Sequence, residues 1–149
     1  MPSLVEERIE SVKAGALAAS VFALSELIIS IVKYSIVNSE FSFDAVPISW
    51  DIAFLVQFAI GLVSGALFGI TYRYVIRGDL NSHLNDGAVL AFGLVRGLAL
   101  VENSLSNNLL SSELLSVMWL IVSSVICFAS ARYMLDLAMN RELVKPFVE

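Results

Sequence analysis

The sequence predicts an all-α fold: an integral membrane four-helix bundle with both termini on the cytoplasmic or stromal side. Three observations carry that expectation. The 149 residues are 58% hydrophobic and only 15% charged, with mean hydropathy +0.82. Soluble domains carry about 25% charged residues. The apolar residues gather into four runs bounded by charge, Asn or Ser, roughly residues 12–37, 52–76, 87–101 and 114–137. The basic residues fall on alternate connections between those runs. None of the runs alternates like a strand, so helices are the natural spanning form. About 20 residues cross a bilayer, and four spans use most of the chain as one transmembrane domain, residues 1–149.

Span one follows Glu6, Glu7 and Glu10. A signal peptide would carry positive charge there, so this run is expected to be a retained span. It offers a small-residue face at Gly15, Ala19 and Ala23. Span two carries Gly61, Gly65 and Gly69, spaced so that one helix face lacks side chains. Span three is the shortest. Asp86 is expected to cap its start, and Gly93 and Gly97 flank Arg96. Span four has Ser123, Cys127 and Ala131 on one face. Lipid supplies no hydrophobic drive for helix pairing, so close backbone contact at small residues must supply it. The faces either hold one bundle together or, on span two, receive a partner helix from a second copy or a larger complex.

The charges set the direction. Arg8 and Lys13 precede span one, Arg73 and Arg77 follow span two, and Arg132, Arg141 and Lys145 close span four. The connections 38–51 and 102–113 contain no Lys or Arg. Lysine and arginine excess marks the cytoplasmic face. Trp50, Tyr72, Arg73, Tyr74, Arg77, Arg132 and Tyr133 are expected as membrane-interface anchors at headgroup depth. Aromatic and arginine clusters also bind RNA. With a net charge of −5 and no basic run, nucleic acid is excluded as a partner. The expected partners are membrane lipid and other transmembrane helices, as a homo-oligomer or a larger complex. Ser64-x8-Arg73-Tyr74 echoes Ser123-x8-Arg132-Tyr133, which hints at a duplicated hairpin.

Two charges lie inside apolar runs, Glu26 in span one and Arg96 in span three. A charge near the bilayer centre costs about 2.5–3.5 kcal/mol on insertion scales, and such residues usually have partners. Glu26 lies about 20 Å beyond Lys13, and Arg96 about 15 Å beyond Asp86, at 1.5 Å per residue. Two long side chains close that gap, so an intramembrane Glu26–Arg96 ion pair that fixes helix register is expected. A proton or ion path is the functional alternative. Such paths show more polar groups or broken helices, and here only Gln57, Ser25, Ser30 and the serines of span four are added.

Sites of chemistry are few. Light-harvesting proteins place His or Asn three residues after a pigment-binding glutamate and Arg two further on; this chain has Ile29 and Ile31 there. No cofactor is predicted, with chlorophyll or carotenoid the only candidates. His83, the sole histidine, reads as a solvated loop residue. Cys127, the sole cysteine, reads as a packing residue. There is no zinc-type cluster, no Gly-x-Ser-x-Gly and no phosphate-binding loop, so neither catalytic residues nor a metal site are predicted. The signature of the glycine-rich protein-import translocases is not met, because Leu94 stands where its paired glycine belongs.

The stretch Ser64-Gly-Ala-Leu-Phe-Gly-Ile-Thr-Tyr-Arg-Tyr-Val-Ile-Arg77, followed by Ala91-Phe-Gly-Leu-Val-Arg-Gly97, resembles an uncharacterised four-span integral membrane protein family of cyanobacteria and plastids. The resemblance implies a location, a cyanobacterial plasma or thylakoid membrane, and no catalytic residues. The expected function is a non-catalytic accessory, assembly or stabilising subunit of a larger membrane protein complex. The alternative is a small transporter or channel that uses the Glu26–Arg96 pair.

Overall fold

The computed structural model describes residues 4–37, 52–76, 82–106 and 114–146. They form four helices, α1 (Leu4–Val37), α2 (Ile52–Ile76), α3 (Ser82–Ser106) and α4 (Leu114–Asn140). No strand occurs among the described residues. Each helix contains a stretch long and apolar enough to cross a membrane.

Two helices exceed their apolar runs. α1 begins at Leu4, with Glu6 and Glu7 in its first turn, where carboxylates complement the positive end of the helix dipole. α3 extends over 25 residues from Ser82 to Ser106, so the span expected to be shortest is as long as α2. Polar residues at both ends, Asn85 and Asp86 then Glu102 and Asn103, hid its true length. Asp86 therefore lies within the helix and caps nothing. Its carboxylate accepts a hydrogen bond from Arg132 instead.

The helices run antiparallel in sequence order. The N-terminal ends of α1 and α3 and the C-terminal ends of α2 and α4 lie at one end, called here the termini end. The opposite end is the distal end. α1 packs along α2 and α4, and α3 packs along α4. The α2–α3 seam is slighter, and α1 and α3 stand diagonally without backbone contact.

Glycines set the close approaches. A Cβ on Gly65 would lie 2.9 Å from Phe22 Cβ and 3.0 Å from Ala19 Cα. One on Gly69 would collide with the Ala14 carbonyl and lie 2.6 Å from Ala18 Cβ. Across the other hairpin, a Cβ on Gly93 would lie 2.9 Å from Val125 Cα, and one on Gly97 2.8 Å from Ile121 Cα. The glycine face of α2 is thus covered by α1 of the same chain, and the glycines of α3 are covered by α4.

Burial is uneven along the bundle. The core runs through Ala14, Ala18, Phe22, Phe68, Tyr72, Phe128, Ala131 and Leu135, toward the termini end. None of residues 24–33 of α1 is buried, nor any described side chain among residues 52–60 of α2. Beyond α4 the chain turns back through Glu142 at φ 57°. The Leu143 amide donates to the Ala138 carbonyl at 2.9 Å and the Glu142 amide to the Met139 carbonyl at 3.0 Å. This left-handed helix stop tucks Val144 into the core at 2% exposure.

Gly69→Ala should destabilise the fold by about 1–3 kcal/mol, since its new methyl meets backbone that cannot retreat. Gly87→Ala, with nothing within 4 Å of its Cβ position, should stabilise α3 by about 1 kcal/mol through helix propensity. Unfolding titrations in mixed micelles would compare the two. Equal effects would contradict the packing.

Candidate functional site

One phenylalanine from each helix forms a layer across the bundle: Phe22, Phe68, Phe92 and Phe128. Ring centroids are 4.8 Å apart for Phe22–Phe128, 5.2 Å for Phe68–Phe128, 5.4 Å for Phe68–Phe92 and 5.7 Å for Phe92–Phe128. These separations and tilted or edge-on geometries are those aromatic pairs prefer. Residues four apart share a helix face. The face that carries each ring therefore carries a polar group one turn away. On the distal side these are Glu26, Arg96 and Ser124. On the termini side they are Tyr72 and Arg132.

The distal group contains the expected ion pair. Arg96, 8% exposed, leaves α3, passes with its Cζ 5.0 Å from the centre of the Phe22 ring, and donates to Glu26 Oε1 on α1 at 2.7 Å. The cation lies over the electron-rich ring face, a favourable placement. The pair therefore bridges the diagonal of the bundle. Gly61 of α2 makes room for it. A Cβ there would lie 2.6 Å from Glu26 Oε2, 3.0 Å from Arg96 Nη2 and 3.2 Å from Phe22 Cε1. Beside the pair is a part-open cavity of about 130 Å³, floored by Phe22 and Cys127 and reaching Lys33, Gln57 and Trp119 toward the distal end. Two oxygens of residues that line it, Glu26 Oε2 and Ser124 Oγ, are themselves fully buried and have no hydrogen-bond partner among the described residues.

The termini-side groups are spent on holding segments together. Arg73 is fully buried. Its Nε donates to the Lys145 carbonyl at 2.8 Å, and its Nη1 to the Glu7 carbonyl at 2.9 Å and to Ser11 Oγ at 2.6 Å. Its Nη2 donates to the Glu7 carboxylate. One guanidinium thus ties α1, α2 and the C-terminal turn. Tyr72, also fully buried, donates to Asp136 Oδ1 at 2.7 Å and accepts from Arg132 Nε at 3.2 Å. Arg132 reaches Asp86 of α3 through Nη1.

This corrects the expectation for two anchors. Tyr72 and Arg73 do not face the membrane rim; they are inside the bundle. Consecutive helix residues project about 100° apart, so Tyr72, Arg73 and Tyr74 cannot share one outward face. Tyr74 and Tyr133 are the outward members, 43% and 71% exposed. Trp50 and Arg77 lie outside the described residues. The repeated Arg-Tyr motif has a spatial counterpart. In each hairpin the arginine of the second helix pairs with an acid on the first, Glu7 with Arg73 and Asp86 with Arg132.

Cys127 is buried as expected, and His83 stands exposed in the first turn of α3 rather than in a loop. No group of three His, Cys, Asp or Glu side chains converges to hold a metal among the described residues. The phenylalanine layer was missed by the sequence reading. Its signal was available: Phe22 precedes Glu26 by four residues, and Phe92 precedes Arg96 by four.

Fold and site together define a four-helix bundle, with four helices able to cross a membrane, that encloses two polar layers separated by an aromatic one. No family model, curated protein or solved structure matches the chain.

Gly61→Ala should weaken the fold by about 1–3 kcal/mol by pushing into the ion pair. Arg73→Lys should cost about 2 kcal/mol, because a compact ammonium cannot reproduce the forked donors that reach both α1 and the C-terminal turn. Chemical unfolding of the two variants would check both. A neutral Arg73→Lys would remove the tie assigned to that side chain.

Proposed function

We propose that this chain is a non-catalytic accessory or stabilising subunit of a larger membrane protein complex. The observation that carries the reading is the bare distal half. Over residues 24–33 and 52–60 no described side chain of α1 or α2 is fully covered, and even the inward stripe of Ser25, Glu26, Ile29 and Ser30 is only partly so, although a helix in a self-sufficient bundle buries one apolar stripe along its length. Ile28, Ile31, Leu55, Val56 and Ile60 are all more than half exposed. Helices of another subunit would complete these stretches. The three arginine networks support the same reading, since each joins helices within the chain.

The four apolar helices support a membrane placement. The basic residues at the termini and in the 76–82 connection support a cytoplasmic or stromal position for both termini. The resemblance to a cyanobacterial and plastid family supports a plasma or thylakoid membrane. A transporter or channel is the second reading, favoured by the cavity beside Glu26 and Arg96. In that reading the phenylalanine layer is its closed gate.

Purification of the tagged chain from its native membrane in mild detergent should yield a stoichiometric assembly with other membrane proteins, with or without chlorophyll or carotenoid. Recovery only as a lone chain, one that moves an ion in liposomes, would overturn the subunit reading in favour of the second.

A further inference from the structure

We infer that the α3–α4 hairpin is a conditional membrane element, and that Glu26 of α1 is the residue that admits it. The inference rests on the four-span reading of the chain and not on the subunit reading.

α3 is the span least able to cross alone. Between Asp86 and Glu102 it has only residues 87–101, fewer than the ~20 that a crossing takes. Arg96 stands among them, and a charge inside a bilayer without a partner is costly. By contrast, α2 runs uncharged from Ile52 to Tyr72, and α4 from Leu114 to Ala131. α1 also carries an interior charge, but the two charges differ in kind. A carboxyl group can enter a bilayer neutral by taking up a proton, whereas a guanidinium stays charged. α1 can therefore cross before its partner arrives, and α3 cannot.

The structure shows what meets Arg96 inside the bundle. Its Nη2 donates to Glu26 Oε1 at 2.7 Å, and its Cζ lies 5.0 Å from the centre of the Phe22 ring. Both partners belong to α1, although α1 and α3 make no backbone contact. The glycine contacts divide the chain in the same way. Gly65 and Gly69 bring α2 against α1, and Gly93 and Gly97 bring α3 against α4. Each hairpin has its own close seam, and the charge on α3 is answered from the other hairpin.

The consequence reaches α4. If α3 stays out, α4 must stay out with it or cross in the opposite sense. Crossing would carry Arg132, Arg141 and Lys145 to the distal face, a transfer that lysine and arginine resist. In either case the α3–α4 connection is left on the termini side. One carboxylate thus sets the topology of the C-terminal half.

Single-cysteine reporters read this directly. Cys127→Ala removes the sole cysteine of the chain. In that background Ser39→Cys marks the α1–α2 connection and Ser111→Cys the α3–α4 connection. A membrane-impermeant maleimide is applied to the distal face of sealed vesicles, then to both faces after permeabilisation. With Glu26 and Arg96 intact, both reporters should be labelled from the distal face. Glu26→Leu should move most of the Ser111→Cys signal to the opposite face and leave Ser39→Cys in place. Arg96→Leu should leave both at the distal face, although it breaks the same pair, and so should the double change. A purely stabilising pair would make the two single changes alike. Labelling reads the side of the membrane rather than packing, so a variant that inserts but packs poorly still gives an answer. Distal labelling of Ser111→Cys in Glu26→Leu, or its loss in Arg96→Leu, would overturn the inference. Reporters on opposite faces with the pair intact would contradict the four-span reading, and the inference with it.

Discussion

The bundle depends on the cost of an unpaired charge in its interior. Glu26 and Arg96 are the case on which the distal half turns. They stand on diagonal helices with no backbone contact, yet their side chains meet at 2.7 Å. Desolvation makes either charge alone expensive, so each requires the other. That requirement shapes the neighbours. Gly61 has no side chain because the pair occupies that space, and the Phe22 ring lies beneath the guanidinium. Arg73 meets the same requirement at the termini end. Four of its donors are served by Glu7, Ser11 and the Lys145 carbonyl, and serving them brings the C-terminal turn onto the bundle.

The four phenylalanines separate these two solutions. A ring from every helix closes the middle of the bundle. The termini-side layer is closed by direct hydrogen bonds between side chains. The distal layer is not closed: it keeps a cavity beside the ion pair, and two of its buried oxygens are unmatched among the described residues. The close α1–α2 contacts at Gly65 and Gly69 belong to the first region; the second keeps the Gly97 contact with Ile121 but leaves α1 and α2 only partly covered. A close-packed half and a more open half are therefore built from the same four helices.

Much of this was legible in the sequence. Four apolar runs marked four helices, and depth arithmetic from Lys13 and Asp86 brought Glu26 to Arg96. The small-residue faces of α2 and α3 were visible as four-residue spacings, though spacing alone did not say that α1 and α4 would cover them. Other features were hidden for physical reasons. A charged or aromatic residue near a span end has the same composition whether it faces headgroups or a neighbouring helix. Tyr72 and Arg73 were thus read as anchors. Their partners, Asp136 and Glu7, lie 64 and 66 residues away, and no local pattern connects them. The ends of α3 were lost because polar residues continue a helix as readily as they end one. The phenylalanine layer was hidden because aromatic residues in apolar runs are unremarkable until four helices are aligned.

Glu26 and Arg96 act as one unit, and a double-mutant cycle measures that directly. Unfolding free energies would be determined for Glu26→Leu, Arg96→Leu and the double variant. Each single change should cost about 3–5 kcal/mol, because it strands a buried charge. The double change should cost far less than their sum, which gives a large coupling energy. Simple additivity, with the double variant losing both full amounts, would show that the two side chains stabilise the fold separately and would contradict their pairing.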